Sequence, residues 1–182
     1  RNMMRHLIFT ALFIFAILLS AQPAGSGTSG DPYQILGYGD LYWVTQNSAS
    51  WDKYFVQTAD IDLSTYPDWP SIGYDWDHAF FGHYDGGGYS VTGLTISRSG
   101  SYQGLFGVIR DGSVSNLYIS GSITGTGDSQ TRSGMLAGEC QGSTITNCHA
   151  SGTVQCDGSR VGGLIGQNGS NVYNCSFTGT VE

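Results

Sequence analysis

The sequence is short of charge. Of its 182 residues only 7 are Lys or Arg and 14 are Asp or Glu, about half the share usual in soluble proteins. Lys53 is the single lysine and no basic cluster occurs, which excludes binding by neutralisation of nucleic-acid phosphates. With so few Lys, Glu and Arg to coat helices, and 28 glycines to weaken them, an ordinary helical protein is excluded as well. Disorder fails on the opposite ground, since 40% of the residues are hydrophobic. What is there is a Gly-rich, acidic chain of all-β character.

The one long apolar run is Leu7 to Leu19, LIFTALFIFAILL, behind Arg1, Arg5 and His6 and ahead of the small residues Ser20, Ala21 and Ala24. It is short for a membrane span of about 20 residues and has the layout of a secretory signal peptide over 1–21. Removal of Arg1 and Arg5 with it leaves a more acidic chain, exported to the medium or the cell surface, with no membrane span in the mature part. Residues 22–31, QPAGSGTSGD, read as a flexible linker. Residues 32–102 read as an introductory capping region. In it Asp40 caps a short helix ending near Asn47, and YFVQTADIDL forms a strand with Phe55, Ala59, Ile61 and Leu63 on one face. A Trp- and Asp-rich loop follows over 67–79, then a Gly-rich strand region over 80–96.

From residue 103 the chain repeats itself. QGLFG (103–107), GMLAG (134–138) and GGLIG (162–166) align on Leu105, Leu136 and Leu164. Each is followed by an Asn (Asn116, Asn147, Asn174) and then by a Gly (Gly121, Gly152, Gly179). After the Asn, apolar positions Leu117/Cys148/Cys175, Ile119/Ala150/Phe177 and Ile123/Val154/Val181 alternate with polar ones such as Tyr118/His149/Ser176. Period-two alternation inside a repeat of about 30 residues describes short strands that share a core only when coils stack. The expectation is a parallel β-solenoid, in its right-handed form, with like residues stacked on like over 103–182. Asn suits a left-handed corner and an amide ladder, and the repeated Gly suits a positive φ at a corner. An end coil left bare exposes core, so the pattern running to Glu182 leads us to expect further repeats beyond it.

These segments, with the stretch WPSIG … FFGHYDGGGYSVTGLTI ahead of them, resemble the GLUG-motif repeat family of bacterial exported proteins. The second copy departs from the motif at Met135 and Ala137. The resemblance implies a β-helical surface or secreted molecule, adhesin-like, or a non-catalytic part of a large peptidase. It transfers no catalytic residue.

Several residue groups invite chemistry. Cys148 and Cys175 share an inward repeat position, which favours buried free thiols over a bridge, while the pairing of Cys140 and Cys156 stays open. GECQG (138–142) has nucleophile-elbow spacing around Cys140, but no helix follows it, and His149 falls on an outward strand position. The cysteines lack zinc-site spacing. Asp60, Asp62, Asp75, Asp77 and Asp85, beside His78 and His83, are candidates for glycoside chemistry or for bound Ca2+, against a bland reading as turn and solvated residues. No other cofactor is expected. Trp69, Trp76 and Tyr74 are candidates for stacking on sugars, against the favoured reading that these rings, with Trp51 and Tyr66, cap the first coil. The sequence thus points to a non-catalytic exported module, an adhesin-like stalk for glycans or host and matrix surface molecules. The alternatives are a polysaccharide hydrolase or lyase using residues 60–85, and a repeat region of a larger exported peptidase.

Overall fold

The computed structural model describes residues 21–128 and 130–182. The expected signal peptide lies outside them apart from Ala21. The chain is a parallel β-solenoid. Its strands are β1 (Tyr33–Ile35), β2 (Tyr54–Gln57), β3 (Ile61–Asp62), β4 (His83–Asp85), β5 (Ser90–Ile96), β6 (Tyr102–Gln103), β7 (Phe106–Arg110), β8 (Ser113–Ile123), β9 (Arg132–Ser133), β10 (Ala137–Val154), β11 (Arg160–Val161), β12 (Ile165–Tyr173) and β13 (Ser176–Val181). One helix, α1 (Tyr38–Gln46), precedes β2.

Three faces wrap the core. Face A stacks β1, β2, β4 and the first residues of β8, then 144–146 of β10 and 171–173 of β12. Face B stacks β3, β5, the rest of β8, 148–154 of β10, and β13. Face C stacks β7, the start of β10 and the start of β12. A separate three-stranded sheet of β6, β9 and β11 closes the coil. Strand β10 alone therefore lies on all three faces.

The corner between faces A and B is made by Asn. Asn116, Asn147 and Asn174 have φ of 54°, 53° and 49°, a left-handed conformation that Asn tolerates better than most residues. Their amides form a ladder: Asn174 Nδ2 donates to Asn147 Oδ1 at 2.6 Å, and Asn147 Nδ2 to Asn116 Oδ1 at 3.0 Å. Asn116 Nδ2 then donates to Asp85 Oδ1 at 2.9 Å. The ladder thus starts on a carboxylate, a pure acceptor, which strengthens that first bond.

The glycine column has a different cause from the expected corner φ. Gly152 and Gly179 do have φ of 129° and 147°, but Gly121 is not in that region. All three lie within strands, where a Cβ would stand 1.9–2.1 Å from the carbonyl oxygen of the coil before. Close approach of stacked backbones is what all three share.

Inside, the register columns set the packing. On face A, Tyr33, Phe55, Tyr84, Val114, Ile145 and Val172 succeed one another. Aromatic rings fill the first coils, with Phe55–Tyr84 and Phe80–Phe106 centroids 6.3 and 5.0 Å apart, and aliphatic residues fill the later ones. Burying each such side chain contributes roughly 1.5–3 kcal/mol. The Tyr84 phenol, buried and pushed far above its ordinary value, donates to Gln57 Oε1. Gln57 Nε2 in turn satisfies the carbonyls of Ala59 and Ser90.

Four expectations are corrected. The parallel ladder does not begin at residue 103: β1 to β5 belong to it, so much of 32–102 is coil. The stretch YFVQTADIDL is two strands, because the chain turns a corner at residues 58–60. Residues 22–31 are not a flexible linker, since Ala24 O accepts from Gln34 N and Gly27 O from Tyr54 N, pinning the segment to the first coils. Asp40 is not the N-cap of α1, a place held by Gly37. It lies in the first turn, where its carboxylate accepts the Leu36 N–H at 2.9 Å and faces the positive end of the helix dipole.

Gly152→Ala should lower stability by about 2–3 kcal/mol, since both φ and the Gly121 carbonyl oppose a Cβ. Gly30→Ala, with nothing within 4 Å, should leave the thermal midpoint almost unmoved. Parallel thermal melts of the two variants measure the difference.

Candidate functional site

Three groups of outward side chains merit comparison. The first is the loop between Ile72 and Phe81. Tyr74 and Trp76 are 52% and 38% exposed, and the Arg110 guanidinium lies 4.3 Å over the Trp76 ring and 5.3 Å from Phe81. Arg110 also donates to the Trp76 carbonyl at 3.1 Å. Tyr74 stacks on His78 at 4.8 Å and meets buried Trp51 edge-on at 5.7 Å. A recess of about 390 Å³ lies alongside, lined by Ser48, Trp51, Asp52, Asp77, His78 and Phe81 among others. The ends of the loop pair with β7 through the bridges Ile72–Phe106 and Phe80–Ile109, and turns hold its middle. Asp75 Oδ1 accepts from the backbone N–H of His78 and lies 2.9 Å from its Nδ1. Partial burial of Asp75 opposes its ionisation, but the His78 bonds outweigh that and hold its carboxyl below the ordinary value.

Trp69, the third sequence candidate, is not part of this surface. It is fully buried, within a cluster with Tyr66 and Tyr42 at centroid distances of 5.4 and 6.3 Å. There, burial and then Tyr42 push the Tyr66 phenol up to about 12. Trp69 closes core near α1, as the capping reading expects, because a large ring shields the end of a coil best when it is itself covered.

The second group consists of two matched columns. Sequence reasoning placed Tyr118, His149 and Ser176 at an outward repeat position without reading them as a site, and missed the column of Tyr54, His83 and Ser113. On face A, Tyr54, His83 and Ser113 occupy successive coils in register. Tyr54 stacks on His83 at 4.5 Å and 28°, and His83 Nδ1 shares a hydrogen bond with Ser113 Oγ at 2.8 Å. On face B, Tyr118, His149 and Ser176 do the same. Tyr118 stacks on His149 at 5.3 Å and 30°, and His149 Nδ1 lies 2.9 Å from Ser176 Oγ. The signal was present as Tyr and His about 30 residues apart, twice, each followed one repeat later by Ser.

The third group, the carboxylates of 60–85, does not assemble. Asp60 accepts both the backbone N–H and the hydroxyl of Ser90, Asp62 accepts Ser64 N–H, and Asp85 accepts Gly87 N–H beside Asn116. These backbone donors lower the Asp60 and Asp62 carboxyls below their ordinary value. No group of three His, Cys, Asp or Glu able to hold a metal occurs among the described residues.

The cysteines are all free thiols. Cys140 of GECQG sits wholly buried in β10, and burial pushes its thiol far up. His149 is on the outer face of that strand, so no nucleophile–base pair forms. Burial and then neighbouring Cys175 push the Cys148 thiol up to about 12. Beside Cys140, Glu139 is buried against Arg132, whose Nε is 2.9 Å from its Oε2. Burial raises the Glu139 carboxyl while Arg132 and Arg160 oppose the rise.

The geometry defines a structural repeat module of the parallel β-solenoid class. Residues 157–182 match the GLUG motif. The chain thus carries the repeat that its sequence resembles. It is 33% identical over 160 residues to halomucin from Haloquadratum walsbyi, covering 82% of this chain and 2% of that one. It is 32% identical to a protein of Evansella cellulosilytica described as a Gly-rich membrane protein, covering 92% of this chain and 25% of that one. The chain therefore spans a small part of these relatives. A crystal structure of a candidate immunoglobulin A1 protease from Bacteroides ovatus shares the fold, with a TM-score of 0.52 and 22% identity over 86% of this chain and 59% of that one. No helix among the described residues is long and apolar enough to cross a membrane.

Native protein treated with a thiol reagent at neutral pH should label Cys175, which is part-buried, well before Cys140 and Cys148. Rapid native labelling of Cys140 would restore it as a nucleophile. The acid limb of stability carries a second expectation. The lowered carboxyls of Asp60, Asp62 and Asp75 contribute stability above 3.8, and that contribution is lost as pH falls from there through their folded values. Asp60→Asn should flatten the acid limb in denaturant titrations, and an unchanged limb would show that the Ser90 bonds do not act in solution.

Proposed function

We propose that the chain is an exported, non-catalytic surface module, a stiff rod that displays recognition groups from its side. The observation that carries this reading is the contrast between its acidic and aromatic side chains. Of the six aspartates of 60–85, four are engaged as turn or ladder acceptors and Asp68 is held by Arg98, whereas Trp76 and Phe81 stand exposed beside a guanidinium and Tyr74 is exposed on His78. Aromatic faces of this kind stack on sugars and pack on protein side chains, which suits glycans or host and matrix surface molecules as partners. The apolar run of residues 7–19 supports export, and the description of one relative as a membrane protein supports a place at the cell surface.

Binding to immobilised matrix proteins, measured by surface plasmon resonance, should fall about tenfold in Trp76→Ala or Tyr74→Ala. Tyr173→Ala, an exposed ring near the other end, should bind as wild type does. Undiminished binding in both loop variants would remove the loop from the reading. Release of reducing ends or unsaturated sugars from polysaccharide, lost on Asp60→Asn or Asp62→Asn, would replace the reading with an enzymatic one.

A further inference from the structure

We infer that face B carries a binding groove for an uncharged glycan chain, built on Tyr118, His149 and Ser176. The inference rests on the non-catalytic surface reading above and adds a second recognition surface, on the coil face, to that of the 72–81 loop. The groove, about 350 Å³ in volume, crosses successive coils. Beside the column it is lined by Ser90, Ser151 and Thr178, and no Asp, Glu, Lys or Arg lines it. Two carboxylates border it: Asp60 is engaged by Ser90, and Asp62 pairs in register with Thr92 and accepts the Ser64 N–H.

Its chemistry selects the ligand. Tyr118 is 49% exposed, yet its ring is held by stacking on His149, which is itself fixed by Ser176. An aromatic plane ordered in advance accepts the C–H face of a pyranose at little entropic cost. Hydroxyls of the groove repeat at the coil spacing of about 4.8 Å, close to the advance of one pyranose unit in an extended chain. Each can donate to or accept from sugar hydroxyls. Without a cation in the lining, an acidic sugar has no partner for its carboxylate. His149 Nδ1 faces a hydroxyl rather than an orienting carboxylate, so the column is not arranged as a hydrolytic triad.

The duplication supports a role at the surface. Tyr54, His83 and Ser113 repeat the same three residue types in the same order on face A, beside a smaller groove of about 230 Å³. Stacking does not require them. The same two columns hold Thr144 and Asn171 on face A and Ser90 on face B in other coils. Outward positions that the core leaves free have thus converged twice on one constellation.

Calorimetric titration of the full chain with cellohexaose, xylohexaose, mannohexaose and hexagalacturonate tests the inference. At least one of the neutral sugars should bind. Tyr118→Ala should weaken that binding about tenfold while Tyr118→Phe retains it. The thermal midpoint should stay near wild type, and Trp76→Ala should leave this binding unchanged. Failure of all three neutral sugars, binding of the galacturonate alone, or indifference to Tyr118→Ala would overturn it. Cleavage of a bound neutral sugar would instead sink the non-catalytic reading and leave the groove supported.

Discussion

The Asn ladder is the interaction on which the register of this solenoid depends. Every amide in it donates toward the start of the chain, and the series ends on Asp85, which can only accept. A buried parallel stack tolerates no slip, because moving a strand by one residue turns its inner side chains outward. The ladder opposes slip at the place where the chain bends between faces A and B. With the left-handed corner in place, β8 and β10 continue around it without a loop. The glycine column then has its cause, since coils locked in this register bring each carbonyl to where the next Cβ would lie.

A locked register also decides how the core is filled. Each inner position sees its own kind above and below, so side-chain volume must change gradually along the axis. The face A column runs from aromatic to aliphatic, through Tyr33, Phe55, Tyr84, Val114 and Ile145. The first coils also bury the rings of Phe80, Phe106, Trp51 and Trp69. Near α1, Leu41 and Val44 enter the same apolar cluster, so the helix supplies the cover that a coil end needs. At one corner a single buried side chain satisfies several groups: Gln57 serves two carbonyls and the Tyr84 phenol.

The solenoid from residue 103 onward was legible because Leu, Asn and Gly recur with constant offsets and alternate around a period of two. Repeat spacing predicts the ladder from Asn116 to Asn174 and the inward places of Leu117 and Cys148. The earlier coils were not legible. Their corner is Asp85 followed by three glycines rather than Asn, and the corner before it, after Gln57, has no Asn either, so Leu–Asn–Gly spacing could not align them. Asp40 read as an N-cap because the capping oxygen and the N–H it serves are only a few residues apart in either arrangement. The fate of Trp69 was hidden because composition gives a tryptophan the same weight whether it closes a core or faces solvent. Tyr54 and His83 were missed for the same reason as their coils, since an unaligned coil has no recognisable outward column.

Stacking constrains the three kinds of position unequally, and this bears on function. Inner places must match in volume, corner places must adopt a left-handed backbone, and the glycine column excludes any Cβ. Variation there is penalised by stability, so its residues speak mainly about folding. Outward places pay no such penalty, as the passage from Ser90 through Tyr118 and His149 to Ser176 in one column shows. A recurring pattern at outward places is therefore worth explaining. Stacked Tyr on His, each imidazole tied to a serine one coil on, recurs on two faces. Such cross-strand pairs add modestly to sheet stability, and the proposed glycan groove would give the exposed ring a use beyond that.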